Sequence, residues 1–430
     1  MELSGLEKIE KLSKEIKNRI VEYDFIKVIT HHDTDGLSSG TILTKTLFRA
    51  NKTFQVKVVE HLSRNVIDKL VSKDNSLYIF ADMGSGQIHD ILEKEVDAII
   101  LDHHPPEIEE EFIDNIVQLN PHLYGFDGAK EITASGTCYF VAREFGYYDL
   151  SQMAIVGMIG DMQFPPMGLN KFIVNEAREK RYIKIFNDII YNIYGVEIYK
   201  AMAYCTKPYI EDLNSEAKAE KFLLNLKIDP KKKDLSKEEY KKIISHLIFK
   251  YPEEAEKLII ERVLLRHKVR DAHLLSEMLN AVGRHGYFSI GIGIGLEDDE
   301  CIRIGNKVLW DYKKALLSEI KRVELKSLRN IKYFEGRKGY IGIVAGILAK
   351  EKPVIGYYIE GDVAKFSARG NKKLVDRGLN LSKVMSIAKE FGGTGGGHNI
   401  ASGAMVPKEK VKEFLERVDE LIGEQLRASS

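Results

Sequence analysis

"FIKVITHHDTDGLSSG" (residues 25–40) decides how this chain is read. A short apolar, β-branched run has the pattern of a strand. Two histidines and two aspartates then crowd together, and at Gly36 a helical pattern, "GLSSGTILTKTLFRAN" (36–51), begins. A strand that stops on His31, Asp33 and Asp35 and turns directly into a helix places metal-type ligands beyond its carboxyl end. That edge is where open α/β sheets bind.

The same arrangement recurs downstream. "FQVKVVE" (54–60), "SLYIFADM" (76–83) and "VDAIILDHH" (96–104) read as strands, separated by the helical patterns "RNVIDKLVSK" (64–73) and "GQIHDILEKE" (86–95). Such βαβα alternation predicts a mostly parallel sheet covered by helices. Asp82 ends one strand, Asp102-His103-His104 ends another, and Asp161 closes the apolar helix "MAIVGMIGD" (153–161). Carboxylates gathered at one sheet edge raise each other's pKa and repel unless cations join them. A mixed carboxylate and imidazole set suits Mn²⁺ or a similar ion, and so many ligands are enough for two ions. His32 alternates to the opposite strand face and is not counted as a ligand.

Composition sets the bounds. The chain has 430 residues, 44% of them apolar, and its 64 Lys and Arg balance 64 Asp and Glu. The length predicts two or three domains. No apolar run reaches the ~18 residues of a membrane span, and the charged opening "MELSGLEKIEKLSKEIKNRI" is no signal peptide, so a cytoplasmic protein is expected. Cys138, Cys205 and Cys301 are isolated, with no CxxC spacing, which argues against disulfides and thiolate zinc sites. Charge is uneven: acidic residues dominate 21–135 and basic residues dominate 331–390. A metal-dependent enzyme acting on a polyanion needs such a division.

The expected fold class is α/β. A mostly parallel catalytic domain fills residues 1–171 and is completed by 271–307, after a helical insertion over 172–270. A long linker helix (308–330) leads to a smaller α/β domain (331–430). The insertion reads as helical, with few strand signals and a break at "KIDPKKKDLS" (227–236); the helical reading includes "RYIKIFNDIIYNIYGV" (181–196) and "AEKLIIERVLLRHKV" (255–269). "GYFSIGIGIG" (286–295) and "YIGIVAGILAK" (340–350) read as β-like. Ser135-Gly136-Thr137 starts a helix whose N-terminus either is merely capped or faces phosphate.

Taken in order, His31-x-Asp33-x-Asp35-Gly36, Asp82, Asp102-His103-His104 and Gly160-Asp161 resemble the four motifs of the DHH phosphoesterase superfamily. "SAR" (367–369) and "GGTGGGH" (392–398) are similar to its associated C-terminal domain. "LNAVGR" (279–284) and "NPHLYGFDGAKEITASGT" (120–137) look like archaeal RecJ-like single-strand nucleases, the type associated with GINS. The resemblance implies that His31, Asp33 and Asp82 hold one Mn²⁺ or Mg²⁺, and that Asp35, Asp82, His103 and Asp161 hold a second. It implies that His104 contacts the scissile phosphate and that Asp102 orients a histidine. Arg284, Arg369, Gly395, Gly396, Gly397 and His398 would bind substrate. The expected activity is exonucleolytic hydrolysis of single-stranded DNA or RNA to nucleoside 5′-monophosphates in replication or repair. The alternatives are a scaffold that docks GINS or a helicase through the insertion, and a phosphodiesterase of nanoRNA or cyclic dinucleotides.

Overall fold

The computed structural model describes residues 4–428. Its chain divides into two compact units. One runs to Ile198 and resumes over Lys232–Trp310; the other comprises Tyr199–Lys231 and the chain from Asp311 onward.

In the first unit, β1 (Phe25–His31), β2 (Thr53–Val59), β3 (Leu77–Ala81), β4 (Ala98–Leu101), β5 (Phe112–Ile113) and β6 (Ile116–Leu119) form one sheet in the order β2-β1-β3-β4-β6-β5. All neighbours are parallel except β5 and β6, so β1, β3 and β4 release their chains at the same edge. The central strand β3, "LYIFA", is buried at every residue, as expected for a strand covered on both faces. Helices α1 (Gly5–Glu22), α2 (Thr34–Arg49), α3 (Arg64–Leu70) and α4 (Ile88–Leu92) alternate with the early strands, and α5 (Ala134–Glu144), α6 (Ser151–Gly160) and α7 (Gly168–Glu179) follow. Tyr78, Phe80, Ile100, Ile67, Ile88 and Ile91 are buried together on one side of the sheet.

The stretch 172–270 is not purely helical. "IKIFNDI" forms β7 (Ile183–Ile189) and pairs antiparallel with β8 (Ile259–Leu265). Each strand lacks a partner nearby in sequence, and long-range pairing overrides the helical spacing of the apolar residues. Two further readings are corrected. "FSIGIGIG" is the helix Phe288–Gly295 and "IGIVAGIL" is the helix Ile341–Leu348. In the first, a Cβ on Gly291 would meet the Leu37 side chain at 2.8 Å, and one on Gly295 would meet Thr41 Oγ1 at 2.2 Å. These glycines serve close helix packing and not a strand. The long charged helix begins earlier than 308 and ends earlier than 330, spanning Asp299–Arg322.

The second unit holds a six-stranded sheet of β9 (Lys326–Ser327), β10 (Lys332–Glu335), β11 (Val354–Glu360), β12 (Val363–Arg369), β13 (Thr394–Gly397) and β14 (Ala401–Pro407). Its order is β13-β14-β12-β11-β10-β9, and only β10 and β11 run parallel. Phe366, Phe414, Leu381, Met385, Val418 and Ile422 fill its core. No helix among the described residues is long and apolar enough to cross a membrane.

Candidate metal centre

The parallel sheet brings His31, Asp33, Asp35, Asp82, His103 and Asp161 to one edge. Asp33 caps α2, its Oδ1 accepting from the Gly36 amide at 2.9 Å, and its Oδ2 lies 3.0 Å from His31 Nδ1. His31 Nε2 donates to the Glu60 carbonyl at 3.1 Å, so Nδ1 is the nitrogen turned to the acids. Asp82 follows β3 with φ 61°, a left-handed conformation that Asp adopts more readily than most residues. Its Oδ2 lies 3.3 Å from His31 Nδ1 and its Oδ1 3.4 Å from His103 Nε2. His103 Nδ1 donates to the Gly128 carbonyl at 2.7 Å, leaving Nε2 between Asp82 and Asp161, with Asp161 Oδ2 also at 3.4 Å.

Asp35 is fully buried in the first turn of α2. Its oxygens accept from the Ala134 amide at 2.7 Å and the Ser135 amide at 3.1 Å. Helix α5 therefore spends the amides of its first two residues on this carboxylate and not on phosphate. Thr133 caps it, accepting from the Gly136 amide at 3.2 Å.

Asp102, also buried, accepts from the Ser85 amide (3.0 Å), the His103 amide (2.8 Å), the His104 amide (3.2 Å) and His104 Nδ1 (2.8 Å). Its carboxylate is saturated, and it leaves His104 Nε2 as the free nitrogen of a half-exposed ring. His32 stays outside every ligand group; its buried Nδ1 has no hydrogen-bond partner.

Electrostatics at this edge favour a cation. Burial raises Asp161 to about 9, with the Asp35 charge adding to it, and burial and the Asp82 charge raise Asp35 to about 7. Burial pulls His31 down, but its hydrogen bonds to Asp33 and Asp82 prevail and lift it to about 10. His103 is raised by the same balance. Burial pushes Asp102 up, yet the His104 hydrogen bond brings it to about 2. The carboxylates thus draw positive charge toward themselves. Asp82 Oδ2, buried and turned to His31 Nδ1, points to the same need. Three donor groups can each hold an ion, with atoms within 4.8 Å of one another: His31/Asp33/Asp82, Asp35/His103/Asp161 and Asp82/His103/His104.

Several residues that shape the site lie outside the ligand reading. A Cβ on Gly157 would stand 2.2 Å from Asp35 Oδ1, and one on Gly160 would stand 2.5 Å from Thr34 Cβ. A Cβ on Gly128 would stand 1.9 Å from the His103 carbonyl, and one on Gly283, within "LNAVGR", 2.0 Å from that of His32. These glycines allow α6, the 120–137 segment and the helix Ala272–Arg284 to pack directly on the ligand turns. Glycines before a ligand (Gly160-Asp161) or inside an unexplained signature were the only available clue.

Arg284, exposed, donates from Nε to Asn280 on its own helix at 3.0 Å. The remaining sequence candidates lie in the second unit. Arg369 ends β12 and is half-buried; among the described residues it makes no ion pair, and Nη1 donates to the Ala368 carbonyl at 2.9 Å. Burial lowers its pKa. It pairs in register with Ala401, beside the hairpin formed by β13 and β14. Gly395, Gly396 and Gly397 are β13 residues and not a free loop. A Cβ on Gly395 would stand 1.9 Å from the Met385 carbonyl, and Gly397 has φ 141°. His398 is exposed at the hairpin tip.

A parallel sheet that aims four acidic chain segments and two histidines at one edge, with a separate glycine-rich β unit, defines a class. The family model "DHH family, N-terminal domain" matches residues 25–155, and the DHHA1 domain model matches 329–424. The chain belongs to the DHH family, and its fold is RecJ-like. It is 67% identical to an uncharacterized protein of Methanocaldococcus jannaschii, over 99% of this chain and 100% of that one. Among solved structures it resembles CDC45 from Entamoeba histolytica, at 13% identity and TM-score 0.65, over 98% of this chain and 100% of that chain. It also resembles RecJ in complex with Mn²⁺ from Thermus thermophilus, at 17% identity and TM-score 0.59, over 99% of this chain and 55% of that one. These likenesses establish the fold.

Proposed function

We propose that the chain is a divalent-metal-dependent phosphodiesterase that shortens single-stranded DNA or RNA from an end, releasing nucleoside 5′-monophosphates. The observation that carries this reading is the pair of donor groups His31/Asp33/Asp82 and Asp35/His103/Asp161, which abut through Asp82 and His103. In this reading His31, Asp33 and Asp82 would hold one ion, and Asp35, Asp82, His103 and Asp161 would hold a second. Mn²⁺ or Mg²⁺ bound there supplies Lewis acidity at phosphorus and acidifies water. The protein supplies the rest. Glu60 and Gly128 fix the tautomers of His31 and His103, so each presents its lone pair to the edge. Asp102 holds His104 with Nε2 outward, as a donor to the scissile phosphate. Arg369, Gly395, Gly396, Gly397 and His398 hold a phosphate in the second unit, and Arg284 holds one in the first. The structural similarity to a Mn²⁺-bound RecJ supports the choice of metal.

End-labelled single-stranded DNA and RNA, each labelled at either end and incubated with Mn²⁺ or Mg²⁺, test this directly. Stepwise release of mononucleotides is the expected result. His104→Ala should lower kcat about 10²- to 10⁴-fold, and Asp82→Asn should abolish turnover while preserving the circular dichroism spectrum. Full activity in both variants would remove the metal-centre assignment.

A further inference from the structure

The metal edge is flanked by aromatic rings that none of the ligand roles uses. His32 sits against His31, with ring centroids 4.5 Å apart, and also contacts Phe288 at 6.1 Å and His61 at 6.5 Å. His285 and Tyr287 stack nearly parallel, at 6.4 Å and 6°. The backbone builds this arrangement. The helix Ala272–Arg284 ends with the Gly286 amide bonded to the Gly283 carbonyl and the Tyr287 amide bonded to the Val282 carbonyl, a Schellman-type termination with Gly286 at φ 74°. That turn stands His285 and Tyr287 side by side, next to Arg284 and Phe288. The position is fixed relative to the ligands, because Gly283 rests on the His32 carbonyl. Tyr287 is 50% exposed, and His61 and His285 are exposed too.

Single exposed rings are ordinary on a protein surface, whereas a cluster of them marks a binding surface. Here they cluster beside Arg284 and the ligand turn at His31, within the first unit alone. Alternating guanidinium and flat rings is the surface that single-stranded nucleic acid binds, with phosphates on the cations and bases on the rings. We propose that Tyr287 and His61, backed by His285, Phe288 and His32, form a stacking platform for nucleobases of the bound strand flanking the scissile phosphate. The inference rests on the phosphodiesterase reading and narrows it. The substrate is recognised through its bases as well as its phosphates, without sequence preference, so base-free polyanions are poor ligands.

The test uses the full chain with Mn²⁺ and a phosphorothioate-linked dT12, which resists hydrolysis. Two companion oligonucleotides carry abasic residues at the three 5′-terminal or the three 3′-terminal positions. Fluorescence anisotropy gives Kd for each. Wild-type protein should bind dT12 about 5- to 100-fold more tightly than one of the abasic forms, the range expected for stacked bases. The double variant His61→Ala/Tyr287→Ala, changed only at exposed side chains, should bind dT12 as weakly as wild type binds that abasic form. Equal wild-type affinity for dT12 and both abasic forms would overturn the platform alone, as would an unweakened double variant. If wild type neither binds dT12 nor cleaves its ordinary phosphodiester counterpart, the phosphodiesterase reading falls and the platform with it.

Discussion

At His31 and His103, a main-chain carbonyl takes the ring N–H that faces away from the acids. The fold thus decides which nitrogen faces the acids, Nδ1 of His31 and Nε2 of His103. His267 follows the same logic away from the metal edge. Its Nδ1 accepts from the Val269 amide at 3.0 Å and its Nε2 donates to the Ile294 carbonyl at 3.1 Å, which together define a neutral ring. Burial holds its pKa below the ordinary 6.5. The unfolded chain therefore binds the proton first as pH falls, so this residue's contribution is complete above 6.5 and is lost progressively below it. Between pH 7.5 and 5.5 the urea midpoint of the wild type should fall more steeply than that of His267→Gln. Parallel slopes would show that the ring is not buried neutral.

The ribbon of β7 and β8 depends on one buried side chain. Arg262, 1% exposed, bonds Asp188 Oδ2 at 3.1 Å, Asp271 Oδ2 at 2.5 Å and the Ile189 and Ile190 carbonyls. Asp271 also caps the helix Ala272–Arg284, and Thr34 Oγ1 in the first turn of α2 donates to the Ser276 carbonyl of that helix at 3.1 Å. Arg262→Met strands two buried carboxylates and should cost about 3–5 kcal/mol in urea denaturation. A loss under 1 kcal/mol would mean that the pair is solvated. The ribbon also shows where sequence stops being legible. The strand ends at His31, Asp82 and Asp102 were readable because the ligand types and the strands are adjacent in the chain. β7 and β8 are not, since their partners lie far apart in sequence and "IKIFNDI" alone fits either period. The Ile/Gly alternation of 288–295 misled for another reason. Its glycines answer to Leu37 and Thr41 on a different helix, which no local pattern reveals. The ligand turns were likewise legible, whereas Gly157, which permits the approach of its neighbours, had no signature beyond being small.

Across the whole molecule, every residue assigned to the metal edge belongs to the first unit, and each unit has its own apolar core. Ligands that bind only the folded state stabilise what they bind. Scanning calorimetry should therefore resolve a transition that rises with Mn²⁺ and another that does not. At 100-fold excess over Kd the shift corresponds to about 2.7 kcal/mol. Transitions that move together would mean that the two units unfold as one.

The assignment of Tyr199–Lys231 to the second unit has a consequence for how the protein is made. On the ribosome this excursion emerges before Lys232–Trp310 and well ahead of the core its Tyr204 and Tyr209 pack against, which includes Leu316 and Phe334. Its apolar side must wait, uncovered, while the remainder of the first unit is translated. A gene truncated after Trp310 would leave that segment orphaned for good. The Ile198 amide, however, bonds the Lys232 carbonyl at 2.8 Å, so the two ends of the excursion already meet. Joining them by a short splice is the cut that would free the first unit.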